Sequence, residues 1–142
     1  MNATRSSVAI RVAFVAATAI LFLAATGQAQ SDGLKANMPF GFYAGDQLMP
    51  AGEYEIHAFG NGVVKISNYD AHKSVLFFTV GLNQVTVDPI SPRLVFNRYG
   101  EDYFLSEMWW GSQGARKSLP SKSELRLAKV ITPDQTVTLA HR

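Results

Sequence analysis

The sequence predicts an all-β domain, a single antiparallel β-sandwich or partly open β-barrel with one short C-terminal helix. Three observations carry that expectation. Glycine and proline cut the chain into short segments that alternate apolar with polar residues or are rich in β-branched and aromatic residues. A Ser-x-x-Glu capping pattern occurs once, near the end, at Ser121 and Glu124. With 142 residues, 47% hydrophobic and no cysteine, the chain is long enough for one packed core, and no disulfide can staple it.

The first thirty residues have a different character. Met1 to Arg11 carries Arg5 and Arg11 and no acid, and Val12 to Ala25 is apolar except for Thr18. Thr26-Gly27-Gln28-Ala29 then places small residues where a signal peptidase would cut. This is the three-part layout of a secretory signal peptide, and the 14-residue apolar run is short of the roughly 20 residues that span a bilayer. The expected organisation is therefore a cleaved leader over 1–29 and one all-β domain over 30–142, exported to the periplasm or the medium, with no stable membrane anchor after cleavage.

Cleavage alters the charge balance. The whole chain is formally +2, but the leader holds two of its 13 basic residues, which leaves 11 basic against 11 acidic. Residues 30–110 carry five basic and nine acidic residues, and 111–142 carry six and two. A neutral mature chain whose aromatics are not interleaved with basic residues does not fit nucleic-acid binding. The basic tail reads as a segment that docks on the chain's own body or forms a solvated face.

In chain order, Leu34 to Phe42 alternates with its even positions apolar, and Pro39 directs this strand to an edge or a bulge. Met49-Pro50-Ala51-Gly52 matches a type I turn. Glu53 to Ala58 alternates with Tyr54, Ile56 and Ala58 inward. A three-residue loop, Gly60-Asn61-Gly62, pairs Ile56 with Ile66 and Ala58 with Val64. It leaves Glu55, His57, Lys65 and Ser67 outside and requires a left-handed Gly62.

Ser74 to Val80 is apolar on both faces. Arg93–Tyr99 and Tyr103–Trp110 form a hairpin about Gly100-Glu101-Asp102, in which the adjacent Trp109 and Trp110 must point oppositely. Strands apolar on both faces are central strands of a covered sheet, walls of a ligand cavity, or surfaces for a partner. Ser121 then caps a helix whose Leu125, Ala128 and Leu127 supply a short apolar stripe, a candidate cover for the sheet. Gln135 to Ala140 closes the chain, with Val137 and Leu139 alternating.

Searches for chemistry return little. Gly111-Ser112-Gln113-Gly114 lacks the first glycine of a nucleophile elbow, because Trp110 stands two residues before Ser112. There is no phosphate-binding glycine loop and no thiol. Glu53, Glu55 and His57 share one strand face, but same-face neighbours lie nearly 7 Å apart, too wide for a compact metal shell, so they read as a solvated face. Asp88, before Pro89, reads as a turn former. No catalytic or metal-binding residue and no cofactor is expected. The candidate binding surface is Phe77, Phe78, Trp109 and Trp110, serving an unknown protein partner or self-association, with a small apolar ligand as the alternative and a hydrolase as the least supported reading.

Pro39-Phe40-Gly41-Phe42, Leu48-Met49-Pro50-Ala51-Gly52-Glu53-Tyr54, Leu94-Val95-Phe96-Asn97-Arg98-Tyr99-Gly100, Tyr103-Phe104-Leu105-Ser106 and Lys122-Ser123-Glu124-Leu125 together resemble a family of small, uncharacterised exported bacterial proteins. Its members usually read Leu-Pro-Ala-Gly-x-Tyr, and here Met49 intrudes before Pro50. The resemblance implies export and brings no activity, cofactor or catalytic residue.

Overall fold

Ten strands and one short helix follow from this pattern in a computed structural model that describes residues 33–83 and 91–141. The expected leader over 1–29 and Asp88 lie outside the described residues. Strands β1 (Leu34–Met38) and β2 (Phe42–Ala44) split the first alternating segment at Pro39, and β1 is an edge strand beside β4, as a proline at its end favours. A two-residue turn at Gly45-Asp46, with Gly45 at φ +61°, leads into β3 (Gln47–Met49). Strands of three residues are too short to show a period, so the alternation pattern does not reveal this hairpin.

Next come β4 (Gly52–Ala58) and β5 (Val63–Asn68), in the expected register: Ile56 faces Ile66 and Ala58 faces Val64. Gly62 takes φ +84°, the left-handed conformation the three-residue loop demands. Two inward and outward assignments change. Ala58 is exposed, because the core ends at Ile56 and Val64, and Ser67 is buried although it lies on the face expected to be outside.

The long β6 (Lys73–Leu82) pairs with β5 through its first half and with β9 (Ala115–Ser118) through its second. The hairpin of β7 (Arg93–Tyr99) and β8 (Asp102–Trp109) turns at Gly100-Glu101, and its register shifts at Val95/Phe96, where a bulge inserts a residue. A 3-10 turn at Gly111–Gln113 precedes β9, and helix α1 (Lys122–Leu127) precedes β10 (Asp134–Leu139), which pairs with β7.

The strands run β1-β4-β5-β6-β9-β8-β7-β10, and the β2–β3 hairpin joins β8 by one parallel bridge, Tyr43 to Phe104. Just past β10, His141 exchanges two backbone hydrogen bonds with Lys35 of β1, at 2.7 and 2.9 Å. That contact draws the first and last strands together into a partly open barrel. All other strand pairs are antiparallel. Phe42, Phe96, Ile56, Ile66, Leu94 and Met108 fill the interior and are almost wholly shielded from water.

The helix docks by a route the sequence did not announce. Ser121 is the N-cap, and its hydroxyl accepts from the Glu124 N–H at 3.1 Å, as the capping pattern predicts. Its buried residue is Glu124, 7% exposed, whereas Leu125 is 52% exposed and Ala128 also faces water. The carboxylate accepts a hydrogen bond from Asn97 Nδ2 at 2.9 Å and receives the Tyr99 hydroxyl. The apolar stripe expected to cover the sheet does not do so, because a polar cluster on β7 is what seats the helix.

Candidate functional site

Residues directly opposite in an antiparallel pair project to the same side of a sheet, so the register defines the outer face of the barrel. One cross-strand row reads Leu139, Arg93, Trp109, Ala115 and Leu82 over β10, β7, β8, β9 and β6. The next reads Val137, Val95, Glu107, Lys117 and Val80. Leu76 and Phe78 continue the same face along β6, since alternate residues share a side.

Of the four residues expected to form a binding surface, one is exposed. Phe78 stands in water at 69%. Phe77 is its inward neighbour and belongs to the core. Trp110 is 6% exposed and also packs in the core, whereas Trp109 is 4% exposed on the opposite side, so the two do diverge as adjacent strand residues must. Trp109 escapes water although it belongs to the outer face. It packs with Val95, Ala115 and Leu82, the Arg93 guanidinium lies 4.6 Å above its ring, and its Nε1 donates to Glu107 at 2.9 Å. The expectation of one aromatic surface made from all four is corrected accordingly.

What the structure exposes instead is a mainly aliphatic row with one aromatic, Phe78, centred on β6. Leu76, Phe78 and Val80 are all outward and solvated, and Leu119 adjoins them, its N–H donating to the Phe78 carbonyl at 3.5 Å. Leu48, on β3, faces them across an open groove of about 850 Å³. Period-2 alternation should have identified this face, but a strand apolar at every position gives no sign of which side is covered.

The groove is bordered by two open sheet edges. Thr79 N–H donates to the Gly62 carbonyl at 2.8 Å, which turns the odd-numbered backbone groups of β6 toward β5 and the even-numbered ones the other way. Val80 and Leu82 meet β9 there and Phe78 meets Leu119, but Ser74 and Leu76 face no strand among the described residues. On the opposite wall, Leu48 sits one pair beyond the hairpin turn and directs its backbone away from β2, on an edge that pairs with no other described strand.

A second, polar hollow of about 230 Å³ lies outside β1 and β4, lined by Lys35, Glu53, Glu55, Tyr69 and His141 among others. Here Glu55 is held by two neighbours: Tyr69 donates its hydroxyl at 2.8 Å, and His57 Nε2 lies 3.2 Å away. The Tyr69 hydrogen bond is the main cause that lowers the Glu55 carboxyl below its ordinary value, with the His57 and Lys35 charges adding to it. Tyr69 is raised in return by the same hydrogen bond and by the carboxylate's charge. Among the described residues no group of three His, Asp or Glu side chains is placed to hold a metal ion. Likewise, no described helix is long and apolar enough to cross a membrane.

No protein-family profile matches the chain, and neither a curated protein nor a solved structure is similar enough to be matched to it.

Proposed function

We propose that this chain is an exported, non-catalytic interaction module that engages a protein partner through the outer face of β6. The observation that carries the reading is the solvated row Leu76, Phe78 and Val80, extended by Leu119, on a strand whose inward face is already committed to the core. Adjacent apolar side chains left in water on one strand mark an interaction site more often than scattered single ones do. The carrier alternative has no such support, because large side chains occupy the barrel interior.

A photo-reactive aromatic residue introduced at position 78 in the exporting cell tests the proposal. The expected result is one discrete adduct that disappears when Leu119→Lys places charge beside it. Adduct formation no greater than that of the same group at Asp70, an exposed position in the turn before β6, would refute it.

A further inference from the structure

We infer that the groove between β6 and β3 takes an extended peptide segment of a partner by strand addition. This inference rests on the interaction reading above and names the chemistry of what is bound. An exposed strand edge is a template for another strand, and folded proteins block such edges with charge, proline or a covering element. Between Ser74 and Phe78 the open stretch of β6 carries no charge and no proline, and no other described strand pairs with its outer edge at Ser74 and Leu76. Ser74 and Leu76 each offer one N–H and one C=O outward, at the two-residue repeat that a strand requires. The opposite wall offers the backbone of Leu48. The two walls face each other across the groove, with the Gly45 turn and Phe77 at one end of its lining.

The side chains around the groove state what the segment must carry. Leu76, Phe78, Leu48 and Leu119 are apolar and face the outside, which calls for apolar residues at alternate positions of the guest. Charge sets which sign the guest carries at each end of the groove. Lys73 lies at the start of β6, and Asp46 lies beside Gly45, at the Phe77 end. Both are exposed, and neither forms an ion pair among the described residues. A guest antiparallel to β6 therefore places a basic residue at its amino end, by Asp46, and an acidic residue at its carboxyl end, by Lys73.

The test uses fluorescently labelled Lys-Val-Thr-Ile-Val-Asp as the probe and the full mature chain. Three outcomes are expected. N-methylation of the two probe amides that meet Ser74 and Leu76 weakens binding about thirtyfold, the equivalent of two lost hydrogen bonds. Exchanging the terminal Lys and Asp weakens it several-fold. Leu76→Pro abolishes it, because proline there removes an N–H that faces only the groove and leaves the β5 ladder intact. Equal binding of the N-methylated probe overturns the inference on the unaltered protein, whatever the fate of the proline variant. So does the absence of binding at millimolar probe, or a dimer of the chain that Leu76→Pro dissociates. If the position-78 adduct survives Leu76→Pro, the outer face remains the site and the edge does not.

Discussion

Glu124→Ala tests how the C-terminal helix is held. The carboxylate is 7% exposed and receives Asn97 Nδ2 and the Tyr99 hydroxyl, both on β7. A hydrogen bond to a charged group contributes about 1.5–3 kcal/mol, and an acid in the first turn of a helix adds about 0.3–1 kcal/mol. Because Asn97 and Tyr99 share one carboxylate, their contributions do not add in full, and a net loss of about 3 kcal/mol follows. Alanine is the best helix former, so intrinsic propensity does not oppose this figure. For a domain of this size, at roughly 4 °C per kcal/mol, the melting temperature falls by about 12 °C. Thermal unfolding followed by far-ultraviolet circular dichroism measures it, with two companions. Leu125→Ala, on the same helix but half exposed, changes stability by less than about 0.5 kcal/mol. Glu124→Gln keeps an acceptor for Asn97 and falls between the two. If Leu125→Ala costs more than Glu124→Ala, the helix is seated by its apolar side chains and the polar docking described above is wrong.

Other perturbations probe separate parts of the molecule. Gly52→Ala destabilises by more than about 2 kcal/mol, because Gly52 sits at φ +143° and a Cβ there would stand 2.8 Å from Asn68 Nδ2; urea unfolding reads the loss. Tyr69→Phe removes the hydrogen bond that chiefly lowers Glu55, so the carboxyl titrates closer to its ordinary value of 4.5 in an NMR titration. A depressed carboxyl contributes stability that is present above its unfolded pKa and lost as pH falls through the folded one. The variant therefore loses less of its stability on acidification than the parent does. Burial raises Tyr54 and Tyr99 above 10.0, so the folded state holds their protons longer than the unfolded chain. Stability then declines as pH rises past 10, and unfolding monitored by tyrosinate absorbance detects it. Finally, tryptophan emission from the native protein is shielded from acrylamide and becomes quenchable only on unfolding, since Trp109 and Trp110 are both buried.

Local chemistry was legible wherever neighbours in sequence decide the outcome. The Ile56–Ile66 register, the left-handed Gly62, the divergence of Trp109 from Trp110 and the Ser121 cap all follow from alternation, loop length or capping geometry within a few residues. The β2–β3 hairpin and β9 escaped notice because three- and four-residue strands are too short to display a period. The candidate site was half legible. Phe78 is exposed as the sequence predicts, whereas Leu76, Val80 and Leu119 join it only in the folded structure and Trp109 and Trp110 are buried.

The sequence alone determined an all-β chain with a late capped helix, since hydrophobic period and turn residues act over a few positions. Tertiary structure decided which side of each ribbon meets water. That choice depends on partners far along the chain: Arg93 and Glu107 closing over Trp109, Glu124 rather than Leu125 meeting β7, and His141 reaching Lys35. A strand apolar on both faces can bury either one, and only the strands packed against it break the tie.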